Sequence, residues 1–521
     1  MTHTKNLLCL AFSLAFSGYT LFSQVSRTDT IVRVTGLKTA MPAGCGNADE
    51  RVVGFRISSG MEGLRLTSVT FDLEGTTQNR DLGRIRLYSS GQKPRLIPGE
   101  SSLYGTTHAR GKKMNLQGSF PLPTGDTHFW ITSDIKPDAR EGHRLGGRIL
   151  SVAFSDGTSI SVDSIVNSRT ILPVTSLLFT PGDEGSKSYR IPALVTAPDG
   201  SLVTATDRRW TGSQDLPSHI DVVVRRSTDG GRTWGNTTVI AGQDTDMGFG
   251  DPALVVNRRK GELVCLFAAD RGLYNSTPES PIRIFQSISR DNGVTWTKPA
   301  EITEYLYGTR SIWPFSRTWQ AAFVSSGAAA QLTGGRLMAV LAVREKPNGP
   351  ISNYVMYSDD DAGSWKVSPN CACKEGDEAK VAELPNGTVL MSIRHRGHRL
   401  FTRSKDQGIT WDTPVDQPAI MDPFCNGDLI RFTGNDDPAR SGWLLHSIPF
   451  SDKRMNVSVL LSPDQGVTWP WRKTIYEGPS AYSALSVLPD GTVGIYYEVG
   501  EYETYQMYFS RFSIDWLISS F

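Results

Sequence analysis

The chain has 521 residues, 39% hydrophobic and 21% charged, which is enough to bury cores in two or more domains. Its 54 Lys and Arg against 53 Asp and Glu leave a formal net charge of +1, which excludes a general attraction to nucleic acid or an anionic membrane and makes any anion recognition local. With 50 Gly and 29 Pro, short β-rich runs such as Ile220–Val224 between turn signals, and no long helical periodicity, the expected class is all-β.

The chain starts Met1-Thr-His-Thr-Lys5 and runs on apolar from Leu7 to Phe22, the charge-then-apolar order of a secretory signal peptide. The run is short for a bilayer span and is interrupted by Ser13, Ser17 and Gly18, so an anchor is disfavoured. Cleavage is expected near Ser23, with residues 1–23 as the signal peptide. The mature chain is then exported to the periplasm, the cell surface or the exterior, with no integral membrane segment. Beyond Cys9 in the leader stand Cys45, Cys265, Cys371, Cys373 and Cys425, an odd set that argues against a dense disulfide framework and leaves one bridge open. Cys371-Ala-Cys373 has no second cluster with which to hold a metal.

Residues 24–173 carry alternating runs, Arg51-Val-Val-Gly-Phe-Arg-Ile57 and Phe129-Trp-Ile-Thr-Ser133, that predict a β-sandwich. A linked carbohydrate-binding module would raise local substrate concentration, and a structural or docking role fits these residues equally.

From residue 174 onward an octet repeats. Ser227-Thr-Asp229-Gly-Gly231-Arg-Thr233-Trp234 returns from Ser289, Ser404 and Ser462, and a degenerate copy, Ser358-Asp-Asp360-Asp-Ala362-Gly-Ser364-Trp365, has Ala where the others have Gly. This is hairpin-turn chemistry: Asp accepts from nearby backbone N–H groups, Gly allows a positive φ, and Trp plugs the core beneath. The spacing suits one four-stranded sheet per octet, and radially repeated sheets make a β-propeller. The octets, known as Asp boxes, specify architecture rather than chemistry.

Tyr189-Arg190-Ile191-Pro192 precedes the first of these octets. It resembles the Phe/Tyr-Arg-Ile-Pro signature of the sialidase superfamily, in some secreted bacterial members of which an all-β domain, similar to residues 24–173 here, precedes the propeller. The resemblance implies a six-bladed β-propeller over residues 174–521. It further implies three arginines that clamp the substrate carboxylate by bidentate forks, Arg190 being the first. In Asp207-Arg-Arg-Trp-Thr-Gly-Ser-Gln-Asp215-Leu-Pro-Ser-His-Ile-Asp221 it aligns Asp215 with the general acid/base, Asp221 being second choice, and Arg209 with a sugar-contacting arginine for which Arg208 competes. Phe249-Gly-Asp251-Pro resembles the segment whose Asp meets the amide and hydroxyl side of the ring, a turn Asp being the alternative.

Farther along, Glu378-Ala-Lys-Val-Ala-Glu383 followed by Arg394 looks like the family hairpin carrying the base partner of the nucleophile and the second arginine. Glu378 takes the base role and Glu383 fits a strand end. Arg454 matches the third arginine, with Lys453 on the other face. Ser480-Ala-Tyr482-Ser483 resembles the nucleophile segment, and Glu498 looks like the carboxylate that buttresses Arg190.

The implied activity is that of an exo-α-sialidase, a retaining glycoside hydrolase acting on sialylated glycoconjugates. Tyr482 attacks, Glu378 takes its proton and Asp215 protonates the leaving oxygen, with no metal and no organic cofactor. A trans-sialidase would use the same residues, an inactive sialic-acid-binding lectin would not need a Tyr–Glu pair, and a propeller acting on other polysaccharides would not need the arginines. Linkage preference and oligomeric state are not readable from these residues.

Overall fold

The computed structural model describes residues 23–24, 32–162, 166–242, 247–434 and 438–520. The expected leader with its Cys9 lies outside them up to residue 22. The described residues are all-β apart from short 3-10 turns and one helix, Ile514–Ile518, whose start is capped by Ser513. No helix among them is long and apolar enough to cross a membrane, and none of the five described cysteines is in a disulfide. The chain divides into two compact units, one of Met1–Thr39, Gly46–Ala139 and His143–Arg169, the other of Ala40–Cys45, Arg140–Gly142 and Thr170–Phe521.

In the first unit, one sheet orders Val32–Leu37, Glu50–Ser59, Gly125–Ile135, Leu82–Gly91 and Ser102–His108, and another contains Arg144–Phe154, Arg65–Asp72 and Lys113–Pro121. Alternation in Glu50–Ser59 buries Val53, Phe55 and Ile57 on one face. Phe55 stacks on Phe129 at 5.1 Å, and Phe120 of the other sheet meets Phe129 edge-on at 5.4 Å, so the sheets share one core.

The second unit holds six sheets of four or five strands. The first is an antiparallel meander of Ser188–Thr196, Leu202–Arg209, Ile220–Ser227 and Thr238–Ala241. The last joins Ser480–Val487, Val493–Val499 and Gln506–Phe512 to Val174–Phe179 from the other end of the unit. Leu202–Arg209, Glu262–Ala269 and Leu337–Arg344 are buried at every position, because neighbouring sheets cover both faces; the last two read as nearly continuous apolar runs, whereas the first ends in the polar Asp207, Arg208 and Arg209. The innermost strands neighbour one another in chain order: Ser188–Thr196, Phe249–Asn257, residues 321–331, Ala379–Glu383, Asp428–Arg431 and Ser480–Val487, the last lying beside the first.

All five octets occupy the same turn, between the third and fourth strands of their sheets. In the first, Asp229 accepts from Thr233 N and Oγ1, and Gly231 N donates to Ser227 Oγ. The other four repeat this pattern. The degenerate octet keeps the geometry at a cost: Ala362 takes φ +66° where the others place glycine. Trp365 and Trp469 are buried as expected, whereas Trp234, Trp296 and Trp411 pack against the core clusters but are only half-buried. The sixth sheet has no octet, because its fourth strand is Val174–Phe179 rather than the next segment of chain.

Candidate active site

Irregularities in the innermost strands aim the site. The register shifts between Arg190 and Ala193, between Gly250 and Ala253, and between Ser480 and Ser483. Two of these bulges carry non-glycine residues in the left-handed region, Ile191 at φ +62° and Asp251 at φ +58°. A β-branched residue there is strained and persists only where its surroundings hold it. Glu498 does so for Ile191, accepting its N–H at 2.8 Å. Bulges re-aim side chains out of the regular pleat, and here they serve Arg190, Asp251 and Tyr482.

Arg190 is 3% exposed. Its Nε and Nη2 donate to Glu498 Oε1 and Oε2, both at 3.2 Å, and Tyr482 N donates to the same Oε2 at 3.0 Å. The guanidinium lies 5.1, 5.2 and 5.3 Å from the ring centres of Tyr482, Tyr502 and Tyr505, within cation–π range. Burial disfavours its charge, but Glu498 more than compensates and holds Arg190 firmly protonated.

The Tyr482 hydroxyl donates to Glu378 Oε2 at 2.5 Å and accepts from Arg394 Nη1 at 3.0 Å; the same Nη1 donates to Glu378 Oε2 at 2.6 Å. Arg454 stands 5.6 Å from the Tyr482 ring centre and donates from Nη2 to Phe424 O at 3.0 Å. Three guanidinium groups, from residues 190, 394 and 454, thus surround one phenol. Arg394 Nε is buried with no hydrogen-bond partner among the described residues. Burial and then Glu378 push the Tyr482 phenol well above its ordinary range, against the three arginines. For Glu378 burial pulls upward, but Arg394, Lys380 and the hydroxyls of Tyr482 and Ser326 outweigh it and hold the carboxyl below its usual range. The pair therefore rests as phenol and carboxylate, the state from which a base accepts a proton.

A second cluster lies beside Arg190. Arg209 donates from Nε and Nη2 to Asp207 Oδ2 at 3.2 and 2.8 Å, pairs with Asp215 at 2.7 Å, and donates from Nη1 to Ser213 O. Asp215 itself is 65% exposed. Its loop is tied down where Ser213 Oγ donates to Glu503 at 2.7 Å and Tyr502 Oη donates to Ser213 O at 3.3 Å. Asp251 N donates to Asp207 Oδ1 at 2.9 Å. Burial raises Asp207 to about 6 against the pull of Arg209. Burial and the neighbouring carboxylates of Asp207, Asp215 and Glu378 push Asp251 well above its usual range.

The competing residues go elsewhere. Arg208 turns to the opposite face and binds Asp221 Oδ2 at 2.6 Å and Glu184 at 2.9 Å; Trp210 Nε1 donates to the same Asp221 oxygen at 2.9 Å. Glu383 accepts from Thr333 N and Oγ1, both at 2.6 Å, and Lys453 is exposed. Sequence reasoning missed Asp207, Tyr502, Tyr505 and Phe424. Asp207 had a signal: it alternates with Arg209 on one strand and lies opposite Arg190 in register. Phe424 had none, since it supplies its ring to Arg394 at 4.1 Å and its carbonyl to Arg454 from φ +58°.

Comparison with known proteins adds to this geometry. A family model described as a BNR repeat-like domain matches residues 209–495, and one described as the N-terminal domain of BNR-repeat neuraminidase matches residues 32–158. A sialidase from Bacteroides fragilis (strain YCH46) is 27% identical over 481 residues, 86% of each chain. A sialidase from Micromonospora viridifaciens is 34% identical over 361 residues, 64% of this chain and 53% of its own. Among solved structures, the Hadza microbial sialidase Hz136 gives a TM-score of 0.73 at 25% identity, covering 93% of this chain and 100% of its own.

Proposed function

The chain belongs to the BNR repeat-like domain family and is an exo-α-sialidase, and from that premise we propose that it releases terminal sialic acid with retention, through a covalent intermediate on Tyr482. The observation that carries this reading is the 2.5 Å contact of the Tyr482 hydroxyl with a buried carboxylate inside three guanidinium groups. A carboxylate nucleophile would be repelled by the substrate's own carboxylate on the anomeric carbon, whereas a neutral phenol with a base beside it is not.

Arg190, Arg394 and Arg454 clamp the substrate carboxylate. Glu378 takes the phenolic proton as Tyr482 Oη attacks the anomeric carbon, and Asp215 gives a proton to the leaving oxygen. Water then attacks the same carbon while Asp215 accepts its proton. Tyr482 Oη leaves and recovers its proton from Glu378, and the two inversions sum to retention. The arginines stabilise the departing phenolate. Arg209 holds Asp215 at the mouth, and Asp251 meets the amide and hydroxyl side of the sugar.

The substrates of this reading are sialylated glycoproteins, glycolipids and oligosaccharides. A six-bladed β-propeller over residues 174–521 and a β-sandwich over 24–173 complete it, supported respectively by the circular order of innermost strands and by the shared Phe55, Phe120 and Phe129 core. Export follows from the leader sequence of residues 1–23. Proton NMR of the first product from an α-sialoside tests the stereochemistry. The α-anomer appears first if the intermediate forms, and initial release of the β-anomer refutes it.

A further inference from the structure

Behind the Tyr482–Glu378 pair runs a line of buried polar side chains that the reaction scheme leaves unused. Glu378 and Lys380 stand two residues apart at the head of the strand Ala379–Glu383, so both side chains leave on one face. Lys380 is buried and its Nζ donates to Asn426 Oδ1 at 2.8 Å. Asn426 Nδ2 donates to Ser326 O at 3.0 Å and to Ser326 Oγ at 3.1 Å. Ser326 Oγ donates to Glu378 Oε1 at 2.8 Å, leaving Oε2 for Tyr482 and Arg394.

The first member sets the direction of this relay. An ammonium only donates, so Asn426 must turn its oxygen toward Lys380 and its amino group toward Ser326. The serine oxygen then accepts, and its proton is directed at Glu378. The Ser326 carbonyl, which only accepts, holds Asn426 Nδ2 in the same sense at 3.0 Å, so the ammonium adds a second constraint on the amide and brings a buried positive charge to bear on Glu378. The backbone makes room for the arrangement: a Cβ on Gly327 would lie 3.3 Å from Lys380 Cε.

We propose that Lys380 is a positioning residue for the reaction: through Asn426 and Ser326 it keeps Glu378 an ionised, acceptor-only carboxylate aimed at the Tyr482 hydroxyl. This rests on Glu378 being the base of Tyr482. Glu378 is faced by burial first, then by Arg394 and Lys380 as cations, with Tyr482, Asp377 and Asp251 around it. Lys380 is faced by the carboxylates of Glu378 and Asp428 and by the cations of Arg399 and Arg394, with His446 in range. Burial lowers Lys380 to about 8 against those two carboxylates, so it is charged throughout the acid range in which Glu378 titrates.

The test is kcat/KM against pH on a fluorogenic sialoside for the wild-type full chain, Lys380→Met, Ser326→Ala, the double variant and Glu378→Gln. Removing the cation raises the Glu378 pKa, so in Lys380→Met the acid limb moves up by about one pH unit. kcat falls while KM changes little, because the arginine trio is untouched. Ser326→Ala shifts the limb in the same direction, and the double variant shifts it no further than the larger single change. An unmoved acid limb in either single variant, whatever its melting temperature, overturns the relay provided that Glu378→Gln is inactive; so does a double variant whose shift is the sum of the two. If Lys380→Met fails to fold, the limb of Ser326→Ala decides alone. A Glu378→Gln enzyme with wild-type activity would instead sink the assignment of Glu378 as base.

Discussion

Replacing Glu498 by Gln changes one atom and tests how the site is held. Each Glu498 oxygen accepts one guanidinium N–H of Arg190 and one backbone N–H: Oε1 from Arg190 Nε and Ile191 N, Oε2 from Arg190 Nη2 and Tyr482 N. Whichever oxygen becomes an amino group then faces two donors, and both hydrogen bonds are lost. One is charge-assisted, costing about 1.5–3 kcal/mol, and the other leaves a buried N–H unsatisfied at about 1–3 kcal/mol. The sum, about 2.5–6 kcal/mol, brackets the roughly 3–5 kcal/mol cost of breaking a buried ion pair. No discount for solvent screening applies, since the two side chains are 4% and 0% exposed. That is a large part of the ~5–15 kcal/mol typical of a folded domain. Urea unfolding of Glu498→Gln should show this loss. kcat/KM on a sialoside should drop by about 10²-fold, because Arg190, Ile191 and Tyr482 lose a shared anchor. A variant within about 0.5 kcal/mol of wild type and equally active would refute the anchoring argument.

Four further variants follow from the same geometry. Ala362→Gly relieves a left-handed alanine at φ +66°, and after the entropy a glycine adds to the unfolded chain it should stabilise by about 0.5–1 kcal/mol, read as an increase in urea midpoint at constant slope. His446 is buried against Ser392, at 3.0 Å, and burial, with Arg399 and Lys380, holds its pKa well below the ordinary value. Below the unfolded-state pKa of about 6.5 the unfolded chain therefore binds a proton that the native one refuses, and stability falls by up to about 1.4 kcal/mol per pH unit. In His446→Gln that contribution to the acid slope should vanish from unfolding curves recorded between about pH 6.5 and 5. Arg209→Lys should lower kcat/KM by about tenfold or more, because an ammonium cannot fork to Asp207 while holding Asp215. Arg208→Lys should alter only stability, since Arg208 faces Asp221 and Glu184.

How much of this was legible depends on the range over which each feature acts. The octets were readable because Asp229 and Thr233, or Asp464 and Thr468, bond four residues apart, and such turn chemistry is written locally. The choice between Arg208 and Arg209 was not, because it needs the register that pairs Arg208 with Asp221 across the hairpin. The Tyr482–Glu378 and Arg190–Glu498 contacts span 104 and 308 residues; no periodicity encodes them, and only the resemblance to a family brought those residues into one argument. The half-buried Trp296 and Trp411, the closing strand Val174–Phe179 and the carbonyl of Phe424 are products of packing between sheets. Lys380 reads in sequence as a polar break in a strand, and only its partners Asn426 and Ser326 give it a function.

The phenol of Tyr482 is the group on which the proposed reaction turns. The kcat of Tyr482→Phe on a fluorogenic sialoside, with enzyme shown to bind sialic acid, measures it directly. The variant keeps Arg394 on Glu378 and all three guanidinium groups, yet its kcat should fall by about 10²–10⁴-fold. Turnover at the wild-type rate would contradict the nucleophile and the mechanism built on it.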